Sequence, residues 1–364
     1  MKRISLFLVP VLLLAQKAVQ FENLPALELD NGKVRLVVLN PGGSFASFTL
    51  NSGNTLNPIW DPARMSREAG GRPRTNPSSG HFLCLDGFGP VSADEQKAGY
   101  MGHGEASRLP WEVVESTAAS VSFRVRLPLV QEVLRRKVTL SPGEQVALVE
   151  SELESELAFD RPMLWAEHAT VGAPFLALGK TVVDASSTKC QTKPYEQKGQ
   201  RTFASAENFT WPQYRNLNLR ETPAKDGELN HIGCLMDPTR EHEFITVLNT
   251  EKRLLIGYFF RRADYPWVQH WMNYPANKQY SWGIEFGMQP YDMTKRELVA
   301  MSPLFGQPTF RWLGAKAKIA TRYLMFVTEV PAGFKKVDDV RLEGGKLVVE
   351  GGGQRVELTS TAVL

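Results

Sequence analysis

Four segments of the chain concentrate ionisable and aromatic side chains within an otherwise strand-like sequence. They are residues 80–87, 102–111, 164–174 and 282–289. The first three carry His81, His103 and His168, and the last carries Glu285. A histidine titrates near neutral pH and can donate a proton, while a carboxylate opposite it can accept one. These residue types predict general acid–base chemistry.

The elements that must position these segments are short β-strands separated by turns. Apolar residues alternate with polar ones at Val121, Phe123, Val125 and Leu127. Because successive residues of a strand face opposite sides, this alternation places the apolar side chains on the inner face. No long segment has helical periodicity, which argues against βαβ units and a dinucleotide-binding fold. We therefore predict an all-β fold. The clearest predicted strands are residues 34–40, 45–50, 121–129, 132–140, 146–154, 244–249, 254–260, 319–329, 340–343 and 346–350.

Two stretches interrupt the strand pattern. Residues 61–79 are rich in Arg, Gly, Pro and Ser and are predicted to form a long loop, and residues 186–230 are predicted to be irregular. No linker divides the chain, and no tandem repeat is visible. Residues 21–364 are therefore predicted to form one large β-sandwich domain.

The N-terminus has the pattern of a secretory signal peptide. Lys2 and Arg3 precede an apolar run at residues 4–15, which is shorter than the roughly 20 residues that a membrane-spanning helix needs. We predict a signal peptide over residues 1–20, cleaved between Ala15 and Gln20. The protein is then expected to be exported, periplasmic or extracellular, with no stable membrane insertion after cleavage.

Charge and cysteine content limit the partners. The net charge is only +3 and the basic residues are scattered, so a nucleic-acid partner is not expected. The three cysteines are Cys84, Cys190 and Cys234. One disulfide can form among them in an oxidising compartment, and the sequence does not choose the pair. No Cys-x-x-Cys motif is present, which argues against a cysteine-based zinc site.

The order of the polar motifs resembles that of the aldose 1-epimerase, or galactose-mutarotase-like, superfamily. Members carry a His-Gly segment followed by Arg and Trp, matched here by His103, Arg108 and Trp111. They carry a second histidine in mid-chain, matched by His168, and a late glutamate, matched by Glu285. The resemblance extends over most of the chain and implies a galactose-mutarotase-like β-supersandwich of mostly antiparallel strands.

The resemblance also implies roles for individual residues. Opening and reclosing the ring of an aldose requires a general base and a general acid, and the family pattern assigns these roles to Glu285 and His168. His103 and Arg108 would bind sugar oxygens. Further candidate contacts are Trp111, Trp165 and Trp271 as stacking rings and Asp237 as a hydroxyl acceptor. The expected ligand is a small sugar or an oligosaccharide, with no metal or organic cofactor, and the oligomeric state is left open.

The chain departs from the family pattern around His168. Glu167 stands where mutarotases have Asn, and Ala169 and Thr170 replace an aromatic pair. One hypothesis is that Glu167 raises the pKa of His168 and keeps it protonated. The histidines outside the matched motifs are expected to be structural residues; they are His81, His231, His242 and His270.

Other carbohydrate functions remain alternatives to an epimerase. A non-catalytic sugar-binding protein would not need His103, His168 and Glu285 together. A lyase-like or other carbohydrate-active enzyme could use the same fold, and a hydrolase would need two carboxylates beside the bond. A phosphosugar substrate would need a basic cluster, for which the candidates are Arg64, Arg67, Arg72 and Arg74.

Overall fold

The computed structural model describes residues 16–72, 76–194 and 203–364. Strands account for 49% of the structure and helices for 6%, so the prediction of an all-β fold is confirmed. Residues 1–15 of the predicted signal peptide lie outside the described residues. Residues 16–20, which were also assigned to it, belong to the first strand described.

The elements are numbered in chain order. The first fourteen strands are β1 Gln16–Phe21, β2 Leu24–Asp30, β3 Val34–Leu39, β4 Phe45–Leu50, β5 Phe82–Leu85, β6 Glu112–Ser116, β7 Ser120–Leu127, β8 Glu132–Thr139, β9 Val146–Ser155, β10 Arg161–Met163, β11 Trp165–His168, β12 Thr170–Gly172, β13 Thr181–Ala185 and β14 Ser187–Thr192. The others are β15 Asn208–Thr210, β16 Gln213–Tyr214, β17 Leu217–Asn218, β18 Glu228–Met236, β19 His242–Asn249, β20 Leu254–Arg261, β21 Trp267–Tyr274, β22 Ser281–Gly287, β23 Arg311–Leu313, β24 Lys318–Glu329, β25 Asp339–Glu343, β26 Lys346–Gly351 and β27 Gln354–Thr359. The helices are α1 Pro62–Glu68, α2 Ala93–Lys97 and α3 Lys295–Met301.

Two large antiparallel sheets form the body of the fold. The first has ten strands in the order β17-β16-β15-β14-β18-β21-β22-β11-β5, with β12 also paired to β22. The second has eight strands in the order β13-β19-β20-β24-β9-β8-β7-β6. Their inner faces share one apolar core, in which Phe286 of β22 stacks on Phe260 of β20 at 4.7 Å and meets Tyr323 of β24 edge-on at 5.2 Å. The architecture is therefore a β-sandwich.

A polar network is enclosed between the two sheets. The Glu167 carboxylate accepts hydrogen bonds from Arg136 at 2.5 Å and from Trp165 at 3.1 Å, and it lies 3.1 Å from Nε2 of His81. Burial raises the pKa of Glu167, but the Arg136 guanidinium and the hydrogen bond from His81 outweigh this and lower it to about 2. Glu167 is therefore an ionised core residue.

The position of Glu167 overturns the hypothesis about its neighbour. Successive residues of a strand face opposite sides of the sheet, so Glu167 points into the sandwich and His168 points away from it. The pKa of His168 is lowered rather than raised, chiefly because the ring is buried. Glu167 does not hold His168 protonated.

The two stretches predicted to be irregular contain regular structure. In the first, Pro62–Glu68 form α1, with the Asp61 side chain accepting a hydrogen bond from the Arg64 N–H at 3.0 Å as an N-cap. In the described part of the second, strands β14 to β17 lie between residues 187 and 218, and β18 begins at Glu228. Cys190 and Cys234 face each other on β14 and β18 and form a disulfide, while Cys84 is free and buried.

Two smaller sheets flank the sandwich. Strands β1 to β4 form a four-stranded sheet, and β25 to β27 form a three-stranded sheet. Leu347 and Val349 of β26 belong to the same buried apolar cluster as Phe326 of β24, so the C-terminal sheet covers the outer face of the eight-stranded sheet. No helix in the described residues is long and apolar enough to cross a membrane.

Candidate functional site

One face of the ten-stranded sheet brings distant residues into a single row. Phe82 on β5 pairs with His168 on β11, and Gln269 on β21 pairs with Glu285 on β22. Because β11 and β22 are themselves neighbours in register, these four side chains lie side by side across the sheet. The next row contains His231, which pairs with Trp271.

These rows line a cavity of about 330 Å³. Of the residues predicted from the sequence, the cavity brings together His103, Arg108, His168, Trp271 and Glu285. Its remaining lining residues are Trp60, Asn76, Ser78, Phe82, Gly89, Pro90, Leu229, His231, Gln269 and Asp292. The lining combines aromatic rings with a few converging polar groups, as is usual for small-molecule sites.

His168 and Glu285 form a contact at the buried end of this cavity. His168 Nε2 lies 3.1 Å from Glu285 Oε1, and the two side chains are 8% and 1% exposed. The other ring nitrogen, Nδ1, lies 3.0 Å from the Thr170 hydroxyl. Phe82 stacks on the imidazole with a centroid separation of 4.1 Å. The ring is therefore held on one face by Phe82 and at Nδ1 by Thr170, while the Glu285 carboxyl group lies beside Nε2.

Burial shifts the two pKa values in opposite directions. It lowers the pKa of His168 well below its ordinary value, and the nearby His103 adds to this. Burial also raises the pKa of Glu285, assisted by the Asp292 carboxylate and opposed by the hydrogen bond from Gln269. Both shifts disfavour charge. Burial therefore favours an uncharged pair, with the shared proton on Glu285 rather than on His168.

A glycine makes room for the Glu285 carboxylate. Gly283 precedes Glu285 by two residues on β22 and faces the same side of the sheet, and a Cβ at Gly283 would lie only 2.1 Å from Glu285 Oε1. The carboxylate lies across the backbone of its own strand at this point. The Glu285 conformation therefore requires glycine two residues before it, which explains the sequence Gly-x-Glu at this position.

His103 enters the cavity from a loop. It has a left-handed backbone with φ of 66°, and the Gly89 N–H donates to its Nδ1 at 3.3 Å. Burial, reinforced by the positive charge of Arg108, lowers the pKa of His103 to about 4. The neutral ring therefore carries its proton on Nε2 and can donate one hydrogen bond. Arg108 itself is exposed at the rim.

Two tryptophans form an aromatic corner of the cavity. Trp271 lies 6.1 Å from the His168 ring, and Trp60 meets Trp271 edge-on at 5.8 Å. The order from the buried end outward is therefore His168, Trp271, Trp60. Rings of this kind pack against the apolar faces of amphipathic ligands.

Three predicted contact residues are not brought into the cavity. Trp111 is buried in the core, where its Nε1 donates to the Ala106 carbonyl at 2.9 Å. Trp165 points into the sandwich and donates to Glu167, because it shares the inner face of β11. Asp237 lies after β18, where it accepts hydrogen bonds from the Thr239 N–H at 2.9 Å and hydroxyl at 2.7 Å.

The arginines considered for a phosphate site do not line the cavity. Arg64 donates to the Ala173 carbonyl and Arg67 pairs with Glu22, while Arg72 is exposed. Arg74 lies outside the described residues. Among the described residues there is also no cluster of three or more His, Cys, Asp or Glu that could hold a metal ion.

Sequence reasoning missed Trp60, His231, Gln269 and Asp292 as cavity residues. A signal existed for Gln269, because it lies two residues before Trp271 on a strand and so shares its face. His231 lies on β18 opposite Trp271, so the alternation of facing along these strands also places His231 on the cavity side. Trp60 and Asp292 lie outside the strands, and their positions depend on loop paths that no periodicity reveals.

Comparison with known proteins identifies the fold rather than a close relative. No protein-family profile and no curated protein sequence matches the chain. A galactose mutarotase related enzyme from Lactobacillus acidophilus superposes with a TM-score of 0.59 at 11% identity, covering 87% of this chain and 100% of that one. A galactose mutarotase-like protein from Clostridium acetobutylicum gives 0.59 at 11% identity, with coverages of 87% and 99%. A candidate aldose 1-epimerase from Klebsiella pneumoniae gives 0.59 at 16% identity, with coverages of 86% and 82%.

Proposed function

The chain has the galactose-mutarotase-like fold, and from this premise we propose that it is an aldose 1-epimerase. It would interconvert the α and β anomers of an aldose by opening and reclosing the sugar ring. The observation that carries the proposal is the His168–Glu285 pair, whose nitrogen and oxygen are 3.1 Å apart at the buried end of an aromatic-lined cavity.

The pair supplies the two proton transfers that the reaction needs. One member takes the proton of the sugar O1 hydroxyl, whose electrons form the C1=O1 bond. The C1–O5 bond breaks with its electron pair on O5, and the other member protonates O5. Rotation about C1–C2 and reversal of these steps closes the ring on the other face. The pair starts and ends with one proton.

The resting position of that proton differs from the family pattern. The resemblance makes Glu285 the base and His168 the acid, whereas burial favours a protonated Glu285 and a neutral His168. Ring closure is the reverse of ring opening, so each group serves once as acid and once as base. What catalysis requires is a single proton on the pair, and the rate should therefore have a bell-shaped dependence on pH.

The cavity fits a neutral sugar better than a sugar phosphate. Two carboxyl groups, Glu285 and Asp292, line it together with histidines, and the only described arginine in the lining is Arg108 at the rim. Hydroxyl groups match acceptors and neutral imidazoles, whereas a phosphate would face these carboxyl groups. The order His168, Trp271, Trp60 also leaves space for the reducing end of an oligosaccharide, with its second ring against Trp60.

Polarimetry on freshly dissolved α-D-glucose, α-D-galactose and other aldoses tests the proposal. The wild-type protein should accelerate relaxation to the anomeric equilibrium, and Glu285→Gln and His168→Ala should each reduce this by about 10²-fold or more. His242→Gln is the matched control, because His242 lies outside the cavity and stacks on Phe259. A folded protein that accelerates none of these sugars would contradict the epimerase. Sugar binding without acceleration would instead support a non-catalytic binding protein.

A further inference from the structure

A buried ion pair adjoins the uncharged His168–Glu285 pair. The Lys193 ammonium group, just after β14, contacts the Asp292 carboxylate, and their side chains are 1% and 12% exposed. Asp292 also lines the cavity. A buried ion pair adds little stability over an apolar pair of similar volume. The Lys193–Asp292 pair lies beside the proposed proton-transfer site, and we therefore expect its role to lie at that site.

Gln269 connects this ion pair to Glu285. The Asp292 backbone N–H donates to Gln269 Oε1 at 2.7 Å, and Gln269 Nε2 donates to Glu285 Oε2 at 2.7 Å. Because the amide oxygen faces an N–H donor, the amide NH₂ group must face the Glu285 carboxyl group. The other oxygen, Oε1, remains beside His168. The amide orientation thus fixes which oxygen of Glu285 is engaged and which faces the imidazole.

The charges of the ion pair also act on Glu285. Among the described residues, the ionisable groups that interact with Glu285 include His168 on β11, Cys84 on β5, Asp292 and Lys193. The Cys84 thiol is uncharged, because burial raises its pKa. The negative charge of Asp292 raises the pKa of Glu285, and the positive charge of Lys193 lowers it. The balance between these two charges therefore affects how readily Glu285 exchanges its proton.

We propose that Lys193 and Asp292 are a positioning pair for Glu285, acting through Gln269 and through their opposite charges. Neither residue needs to touch the reacting atoms. The inference rests on the proposed function, in which Glu285 exchanges protons with the sugar. It adds three residues to the working site that the sequence motifs do not contain.

The test compares Lys193→Met with Asp292→Asn. Lys193→Met removes the cation and leaves the Asp292 charge, so the alkaline limb of the pH–rate profile, which reports loss of the Glu285 proton, should move to higher pH. Asp292→Asn leaves the cation, so the limb should move to lower pH. Each shift should be about one pH unit, the size expected for a neighbouring charge. The double variant should lie between the two single variants, and Lys193→Arg should restore the wild-type limb.

Two controls separate positioning from simple folding support. Lys295→Met removes the cation of another Lys–Asp pair, in which Nζ of the half-buried lysine lies 2.8 Å from Oδ1 of the buried Asp86, and it should leave the limb in place. Gln269→Leu should lower kcat by about tenfold with a smaller change in KM, because it releases the carboxyl group of Glu285 while leaving the aromatic walls intact. Shifts of Lys193→Met and Asp292→Asn in the same direction, or no shift in either, would overturn the proposal.

A spectroscopic measurement keeps this proposal separate from the epimerase assignment. The Glu285 carboxyl resonance can be titrated by ¹³C NMR in protein labelled at glutamate and assigned with Glu285→Gln. Opposite shifts of its titration midpoint in Lys193→Met and Asp292→Asn would support the positioning pair even if no sugar is epimerised. An unchanged midpoint in both folded variants would refute the pair even if mutarotation is fast.

Discussion

Glu285 owes its conformation to the absence of a side chain at Gly283. A Cβ at that position would lie 2.1 Å from Glu285 Oε1, which no Cβ can tolerate. We predict that Gly283→Ala displaces the carboxyl group from His168 and lowers kcat for mutarotation by about 10²-fold, the usual contribution of one proton transfer. Gly314→Ala is the matched control, because its nearest contact would be 3.3 Å away and it lies outside the cavity. Equal activity of the two variants would contradict the prediction.

Trp60 offers a test of the ligand size. It lies one ring further from His168 than Trp271 does. We predict that Trp60→Ala raises KM for a reducing disaccharide about two- to tenfold while changing KM for its monosaccharide little, because one aromatic contact contributes about 0.5–1.5 kcal/mol. Trp312→Ala, which removes an exposed tryptophan, should change neither. An equal rise for both sugars would place Trp60 against the first ring.

At this scale the sequence allowed part of the site to be predicted. His103, His168 and Glu285 occur in ordered motifs, and all three line the cavity. The tryptophans were ambiguous, because a tryptophan in a strand packs equally well in a core or against a ligand. Trp165 and Trp271 differ only in the side of the sheet that each side chain faces, and that side depends on the register of the strand. Lys193 and Asp292 carry no motif, and only the fold brings them together.

The C-terminal sheet acts as a cover for the eight-stranded sheet. Leu347 and Val349 are fully buried against that sheet, whereas the polar side of β25 to β27 carries a ladder of ion pairs that includes Arg341–Glu350 at 2.8 Å. We predict that Leu347→Ala lowers the free energy of unfolding by about 2–4 kcal/mol, as for other buried leucines. Urea unfolding measures this.

The exposed face of the same strand provides the control. Lys346→Ala removes a surface ion pair with Glu357, and should lower the free energy of unfolding by no more than about 1 kcal/mol. Neither substitution lies near the cavity, so mutarotation at 25 °C should be retained in both. If Leu347→Ala lowers the free energy of unfolding no more than Lys346→Ala does, the C-terminal sheet contributes little to stability.

Strands were easier to predict than the other elements. Residues 45–50 were predicted and form β4, and residues 132–140 were predicted where β8 covers Glu132–Thr139, because alternation and turn residues act locally. Helix α1 was missed because seven residues are too few for helical periodicity, although Asp61 and Pro62 form a cap signal. The short strands between residues 186 and 230 gain their stability from neighbours across the sheet rather than from their own sequence.

The whole molecule should be most stable in mildly acidic solution. Burial lowers the pKa of His270 to about 3, so below pH 6.5 the unfolded chain takes up a proton that the folded chain refuses, and stability falls with pH down to about 3. Glu167 has a pKa of about 2 in the folded chain, so its contribution to stability also falls as the pH drops below 4.5. Burial raises the pKa of Glu243 to about 8, so stability falls as the pH rises from 4.5 to 8. The opposing slopes predict a maximum between about pH 4.5 and 6.5.

Urea unfolding between pH 3 and pH 8 checks this profile. His270→Phe should flatten the acidic side, although it leaves the Trp282 N–H without its acceptor and lowers the baseline by about 1–3 kcal/mol. Glu243→Gln should flatten the alkaline side. An acidic slope that His270→Phe leaves unchanged would assign acid sensitivity to other groups.

The first strand narrows the predicted cleavage site. In the described residues, β1 pairs with β2 from Gln16 opposite Leu29 to Phe21 opposite Leu24, and cleavage after Gln20 would remove five of the six residues of β1. We therefore expect export with cleavage near the N-terminal end of the range from Ala15 to Gln20. Expression of the full chain in a secreting host, followed by intact-mass measurement, checks this. A mature chain beginning at Phe21, or one that retains Met1, would contradict it.

Glu167 and His168 face opposite sides of the sheet, and this affects which sequence changes the fold can accept. Alternate residues of β11, β21 and β22 belong to the cavity, and those between them belong to the core. Substitutions on the cavity side can thus change ligand preference without repacking the sandwich. Insertions and deletions are different, because a shift of one residue in β11 would bury His168 and expose Glu167 to the ligand. In a mutagenesis library, point substitutions at His231 and Trp271 should yield folded proteins with new specificities, whereas single-codon deletions within β11 should yield none.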